Sequence, residues 1–230
     1  QGRARARHAG DERDARRIKS PSPTVVLAEH ISPPLLEDVR FTNKTSQNLH
    51  AELMLRVAAR EKSGAMIMDD ALVFASQFRQ GIGIVPDDVV LRDGSGLSRN
   101  DLVTPQAMAQ LLQYAMRQPW GAEFANTLPV AGEDGTLEER MKGTAAAGRV
   151  RAKTGTLDHV NGLSGYATTT SGEHLIFSMF GNGIGPVSND DVSAGANSAD
   201  AVSVSATGAT MGVPMSVLDT ICVAMVEELG

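Results

Sequence analysis

Three β-rich runs, 149–154, 162–170 and 174–180, follow one another with connections too short to hold a crossover helix. Parallel neighbours need a dozen or more connecting residues, so these runs are expected to pair antiparallel as a meander. Ser171-Gly172 between the last two fits a tight hairpin. The meander must bury a face, and the sequence supplies a cover. From Pro214 to Leu229, the residues Leu218, Ile221, Cys222, Met225, Val226 and Leu229 step by three and four, as one face of a helix does.

Ahead of the meander the period is helical. Asn43 to Arg60 reads as one helix, with Thr45 or Ser46 as N-cap and Leu49, Leu53 and Val57 at a spacing of four. A second amphipathic helix is predicted over Met66 to Phe78. Asp87 to Leu91 reads as a strand leading into the turn Asp93-Gly94-Ser95-Gly96. Thr104-Pro105 is a helix start, an N-cap followed by proline at the first helical position. Met108, Leu111, Leu112, Ala115 and Met116 form the stripe of that helix, and Pro119 stops it. Glycine-punctuated loops fill 128–148. Helices, then an antiparallel meander, then a closing helix give an α+β fold.

The flanks read differently. Arginines crowd residues 1–22 but are diluted by Asp11, Glu12 and Asp14 and show no apolar period, so a disordered basic tail is expected. One domain is then predicted over 23–230, with Thr24 to Ala28 as a short strand and a flexible Ser/Ala/Gly-rich insertion at about 186–212.

Bulk properties exclude several functions. Net charge is -6 and aromatic content 4%, which leaves neither a basic surface nor a stacking platform for nucleic acid. A single cysteine, Cys222, rules out an internal disulfide and a thiolate metal cluster, and its apolar neighbours suggest a buried thiol. No run of about 18 apolar residues predicts a membrane span, and no signal-peptide pattern is visible. Motifs that invite attention also fail. Arg99 stands where a dinucleotide loop needs its last glycine, and Arg149-Val150 replaces the Lys-Ser/Thr of a phosphate loop. His50-Ala51-Glu52 lacks the cysteine pair of a zinc deaminase, and there is no Gly-x-Ser-x-Gly elbow. No metal and no cofactor are implied.

Two short motifs remain. Ser46-Gln47-Asn48 is a Ser-x-Asn at a predicted helix start, and Lys153-Thr154-Gly155, followed by Thr156, lies on a predicted strand. Each alone has a bland reading, a helix cap in one case and a strand end in the other. Together they are partners in penicillin-interacting serine enzymes, whose third member is a Ser-x-x-Lys. The surrounding blocks sharpen the match. Asn43 to Glu52, Asp93-Gly94-Ser95-Gly96-Leu97-Ser98-Arg99-Asn100, Leu128 to Gly132, Asp134-Gly135-Thr136-Leu137, Gly143 to Ala146, Arg151 to Leu157 and Leu163 to Tyr166 resemble, in order, the D-alanyl-D-alanine carboxypeptidase/endopeptidase family that includes penicillin-binding protein 4.

This resemblance implies part of a β-lactamase/transpeptidase-like fold and a serine-type hydrolase of peptidoglycan metabolism, periplasmic or otherwise extracytoplasmic in the parent protein. Its partners would be peptidoglycan peptides ending in D-Ala-D-Ala, and β-lactams. By resemblance, Lys153, Thr154 and Thr156 would bind the substrate's terminal carboxylate, and the Thr156 N–H would form half of an oxyanion hole. Gly155 would let substrate lie flat on the strand edge. Asn48 would bind an amide carbonyl, and Ser46 would relay a proton to the departing D-alanine. The departure from the family is that no serine in the sequence has lysine three positions on. The chain therefore reads as a fragment without a nucleophile, inactive alone. The alternative readings are a non-catalytic peptidoglycan or β-lactam binding module and, third, a β-lactamase relative. Three further expectations follow. Ser46, Asn48 and Lys153 should converge, three strands should pair, and the outer edge of the meander should be open unless the strand near Val25 or a partner covers it.

Overall fold

The computed structural model describes Glu29, residues 31–183 and residues 216–229. The expectations for 1–22, Thr24–Ala28 and 186–212 lie outside the described residues. The fold set out below belongs to the unit Pro33–Gly230.

Three helices lead: α1 (Leu35–Thr45), α2 (Asn48–Ser63) and α3 (Met68–Gly81). Two short strands, β1 (Val89–Val90) and β2 (Leu102–Val103), pair antiparallel across the turn that joins them. Helix α4 (Pro105–Met116) begins as expected, with the Thr104 hydroxyl accepting from the Ala107 N–H at 3.1 Å. A short α5 (Gly121–Ala125) follows. Then come β3 (Val150–Leu157), β4 (Val160–Thr168) and β5 (His174–Asn182), antiparallel and in that spatial order, and finally α6 (Val217–Glu228).

The strand register explains what each side of the sheet carries. Val150, Ala152, Leu163, Ala167 and Phe177 share one face and pack with Leu218, Cys222 and Val226 of α6. Alternate residues turn to the other face, where Tyr166 packs with Leu112, Ala125 and Leu128. Its phenol donates to the Leu112 carbonyl at 2.9 Å, and burial pushes its pKa up to about 12. The sheet thus lies between α6 and the α4/α5 pair. Gly165 is required at its centre, because a Cβ there would strike the Arg151 carbonyl and come within 2.6 Å of the Ala152 Cα. Helix α6 is seated by charge as well as by packing. Ser216 and Asp219 form a capping box, and Arg140 grips the buried Asp219 carboxylate, with its Nη2 at 2.6 Å. Cys222 beneath it is fully buried, and burial raises its pKa to about 12.

Several expectations need correction. The helix read over Asn43–Arg60 is two helices, broken where Ser46 turns left-handed (φ 56°, ψ 50°) and Gln47 is extended. Neither Thr45 nor Ser46 is an N-cap. Ser46 closes α1 instead, and Thr45 donates to the Phe41 carbonyl. The stripe Leu49, Leu53 and Val57 is not in the core, being 62%, 49% and 58% exposed. Met116, Ile221 and Leu229 are likewise exposed. The hairpin before β5 is wider than a two-residue turn, closed by Thr169 N–H to the Glu173 carbonyl, with Gly172 at φ 94°. The loops of 128–148 are loops, yet Leu128, Val130, Ala131, Leu137, Met141 and Ala146 are buried. Among the described residues β5 pairs only with β4, and the segment near Val25 that was considered as a cover for its outer edge lies outside them.

Candidate active site

The C-terminal end of α1 is clamped to the loop that precedes β3. Asn43 donates to the Thr127 hydroxyl at 2.7 Å. The Lys44 ammonium donates to the Leu128 carbonyl and to both Asp134 carboxylate oxygens, each at 2.6 Å. Gly135 allows this approach. Its φ is +60°, and a Cβ there would lie 2.9 Å from the Lys44 carbonyl. The same loop is strapped to β3, with Ala152 N–H donating to the Pro129 carbonyl and Ala131 N–H to the Val150 carbonyl, both at 2.9 Å. One continuous set of bonds therefore holds the end of α1 beside β3.

The left-handed Ser46 sits at that end. Non-glycine residues occupy this conformation at a cost of about 1–2 kcal/mol, so surrounding contacts must hold it there. Its hydroxyl accepts from the Lys153 ammonium at 2.8 Å, and the same ammonium donates to the Thr154 carbonyl at 2.9 Å. Lys153 is half-buried, and burial lowers its pKa below the ordinary lysine value. The expected meeting of Ser46 and Lys153 is present, by direct hydrogen bond. Asn48 opens α2, half-buried, two residues on from Ser46, and its side chain makes no hydrogen bond among the described residues.

The strand register assigns the rest of the edge. Val150 and Ala152 turn their backbone groups toward Ala131 and Pro129, away from β4. In an antiparallel strand this alternates, so Thr154 and Thr156 also point backbone groups outward. The Thr154 carbonyl is taken by Lys153, whereas Thr156 is exposed and its N–H points away from β4. Side chains alternate too, which puts Thr154 and Thr156 on the face opposite Lys153. The Thr154 hydroxyl is engaged, donating to Thr136 at 2.9 Å. A Cβ on Gly155 would meet nothing within 4 Å, so the space above it is open.

Beside it stand residues that the sequence placed in the matching blocks but not in the site. Glu52, one turn after Asn48 on α2, accepts from the N–H groups of Gly94 and Ser95 at 3.0 and 3.1 Å. Burial pushes the Asp93 carboxyl up, but the Gly96 and Ser98 N–H groups outweigh it and hold the pKa below the usual range. The loop they organise carries Arg99, whose guanidinium reaches the Asp158 carbonyl and carboxylate at 3.3 Å. The 93–99 loop is thus tied to α2 through Glu52 and to the turn after β3 through Arg99. Lys44, Glu52 and Thr136 are the positioning residues missed. The available signal was the i, i+4 spacing of Asn48 and Glu52, which puts both on one helix face.

With this geometry in view, residues 13–205 match the model of the D-Ala-D-Ala carboxypeptidase 3 (S13) family. The chain belongs to that family. Among curated relatives, the D-alanyl-D-alanine carboxypeptidase of Actinomadura sp. (strain R39) is 44% identical over 163 residues, covering 69% of this chain and 30% of that protein. The crystal structure of penicillin binding protein 4 from Haemophilus influenzae superposes with a TM-score of 0.65 at 31% identity, covering 74% of this chain and 39% of that one. The same H. influenzae protein complexed with a novel β-lactam gives 0.62 at 32% identity, covering 69% and 38%. The TLA-3 extended-spectrum β-lactamase, 19% identical with a TM-score of 0.50 over 69% of this chain and 58% of that one, shares the fold. The S13 chain therefore has the β-lactamase-like α+β fold expected from its motifs. It spans about a third of the length of the curated relatives it matches, 30%, 35% and 38% of the first three.

Proposed function

We propose that this chain contributes the Ser-x-Asn and Lys-Thr-Gly elements of a serine D-Ala-D-Ala carboxypeptidase/endopeptidase that trims peptidoglycan outside the cytoplasm. The observation that carries the proposal is the Lys153–Ser46 hydrogen bond of 2.8 Å, formed at a strand edge where the exposed Thr156 makes no outward backbone bond among the described residues. A peptide ending in D-Ala-D-Ala would lie along β3 as an added strand, pairing with Thr156, over the open space at Gly155. The Lys153 ammonium would attract its terminal carboxylate, with the Thr156 hydroxyl completing the cradle. Thr154 would join only by releasing Thr136. The Thr156 N–H would stabilise the developing oxyanion. Asn48 would hold the penultimate amide carbonyl. Ser46, already accepting from Lys153, would donate its own proton to the departing D-alanine nitrogen and be reprotonated through Lys153.

The attacking oxygen is a separate matter. A nucleophile needs a neighbouring base, and no Ser-x-x-Lys occurs in the sequence. Loss of an activated nucleophile removes several orders of magnitude in rate and leaves only binding and oxyanion effects. This chain alone should therefore bind carboxylates near Lys153 weakly and with salt sensitivity, and acylate with nothing. Intact-protein mass spectrometry after incubation with a penicillin tests this, and the mass should be unchanged. A gain of one drug molecule, lost in Ser46→Ala, would show that Ser46 is itself the nucleophile and overturn the assignment of roles. The second reading, a carboxylate-binding module with no chemistry, is favoured by the same intact cradle without a nucleophile. It would win if no added Ser-x-x-Lys polypeptide restores acylation.

A further inference from the structure

The loop between β1 and β2 closes on two carboxyl groups. Asp93 leaves β1 on one side of its neck and Asp101 enters β2 on the other, just beyond the Val90–Leu102 pair of the ladder. Asp93 accepts from the N–H groups of Gly96 and Ser98, one on each oxygen, at 2.5 and 2.7 Å. Asp101 accepts from the Arg92 N–H with Oδ1, at 2.6 Å. Its Oδ2 is buried and has no donor among the described residues, and the side chain within hydrogen-bond reach of Asp101 is that of Asp93. A buried carboxylate oxygen without a donor is costly, whereas the same oxygen carrying a proton becomes a donor with an acceptor beside it. Two carboxylates in contact do not both ionise readily, and the one with more N–H donors keeps the charge. Here that one is Asp93. Burial pushes the Asp101 carboxyl above its usual range, and the bond to Asp93 and its charge add to this, outweighing the Arg92 N–H.

We propose that Asp93 and Asp101 share one proton, carried on Asp101 Oδ2, and that this proton latches the 91–101 loop shut. The charged groups around the pair supply no substitute for it. Glu52, from α2, places its carboxylate on the Gly94 and Ser95 N–H groups and adds negative charge to the loop. Arg92 meets Asp101 through its backbone N–H and is itself exposed, and the Arg99 guanidinium reaches Asp158. Asp88 holds the base of the loop through its carbonyl, which accepts from the Thr104 N–H at 2.9 Å. Loss of the proton therefore leaves two anions at the neck and one buried oxygen unpaired. Because the Asp101 pKa lies above the ordinary 3.8 in the folded chain, the folded loop keeps a proton that the unfolded chain has already lost. The stabilisation from Asp101 is present below that ordinary value and is lost as pH rises through the folded one. Asp93 is shifted the other way, so the singly protonated pair spans a wider pH range than two independent aspartates would. Glu52 lies one turn after Asn48, so loosening of the loop reaches the helix that opens the candidate site. The latch rests on the loop's own geometry and not on the function proposed above.

Carboxyl-detected NMR of the whole chain, titrated from about pH 3 to about pH 8, reads both groups directly. The Asp93 and Asp101 carboxyl signals should each show two steps, one below and one above the ordinary aspartate range, with both groups feeling each step. In the same series the protection of the Gly96 and Ser98 amides against hydrogen exchange should fall severalfold across the upper step, relative to amides of β4. Asp101→Asn sets a permanent N–H donor against Asp93, so this protection should hold its acid-side level throughout. Asp101→Ala has no donor, and its loop should be weakly protected at every pH. Single, independent steps for both carboxyls at the ordinary value overturn the shared proton. Protection indifferent to the upper step, a pH dependence that survives in Asp101→Asn, or full protection in Asp101→Ala overturns the latch. The carboxyl titration and amide protection of the unsubstituted chain decide both points if either variant fails to fold.

Discussion

Replacing Lys44 by methionine removes the cation that ties α1 to the loop before β3 while keeping most of its stem. The Lys44 side chain is 17% exposed and its partner Asp134 45% exposed. Three oxygens lie 2.6 Å from the ammonium, one of them the Leu128 carbonyl. Hydrogen bonds to a charged group contribute about 1.5–3 kcal/mol when one partner is buried. Asp134 still accepts from the Val130 N–H at 2.8 Å and is reached by water, so its charge is only partly stranded. The expected loss is about 2 kcal/mol, most of it from the Leu128 carbonyl and the buried end of the pair. For a chain of this size that lowers Tm by roughly 4–8 °C. Urea unfolding followed by far-UV circular dichroism measures it, and a double-mutant cycle with Asp134→Asn should return a coupling of about 1 kcal/mol. A single-mutant effect below about 0.5 kcal/mol, or a cycle that is additive, would mean that the clamp does not hold the end of α1.

Two further outcomes follow from the site. Gly155→Ala adds a methyl group into open space, so stability should change by less than about 1 kcal/mol while salt-sensitive carboxylate binding falls severalfold in isothermal titration. A large loss of stability would contradict the open edge. Burial lowers the Lys153 pKa, so between its folded value and the ordinary 10.5 the unfolded chain binds more protons and stability rises with pH. Lys153→Met should abolish that rise in denaturation series through this window, and an unchanged pH profile would assign it elsewhere.

The sheet, its closing helix and the meeting of Lys153 with Ser46 were legible because each rests on a local signal. Alternation and short connections set the meander, a Thr-Pro pair set the start of α4, and spacing put Leu218, Cys222 and Val226 on one face. What was not legible depends on contacts far along the chain. Ser46 breaks a helix that its neighbours' periodicity would continue, because the end of α1 is fixed by Thr127, Leu128 and Asp134, which local pattern cannot foresee. The loops of 128–148 carry no period, yet they supply buried residues on the strength of position alone. The spacing of Leu49, Leu53 and Val57 marked a helical face, and the structure leaves that face exposed, since periodicity reports that a face is apolar and not what meets it. The resemblance made Thr154 a carboxylate ligand, and nothing local showed that its hydroxyl would donate to Thr136.

The bonds that bring the site together are also the ones that join distant parts of the sequence. The Lys153–Ser46 bond spans 107 residues, and the clamp at Asn43 and Lys44 spans 84 to 90, whereas β3, β4 and β5 are paired by neighbours. Contacts of long sequence separation carry the larger loop-closure entropy, and a layer held by few of them opens on its own before the rest of the molecule does. Folding order and opening order are thereby linked. The meander forms early as a hairpin series, and the seam between α1 and β3 closes late. In amide exchange the strands would report global unfolding, while the amides of residues 43–47 would exchange through a cheaper, partial opening that dissolves the site and leaves the sheet intact.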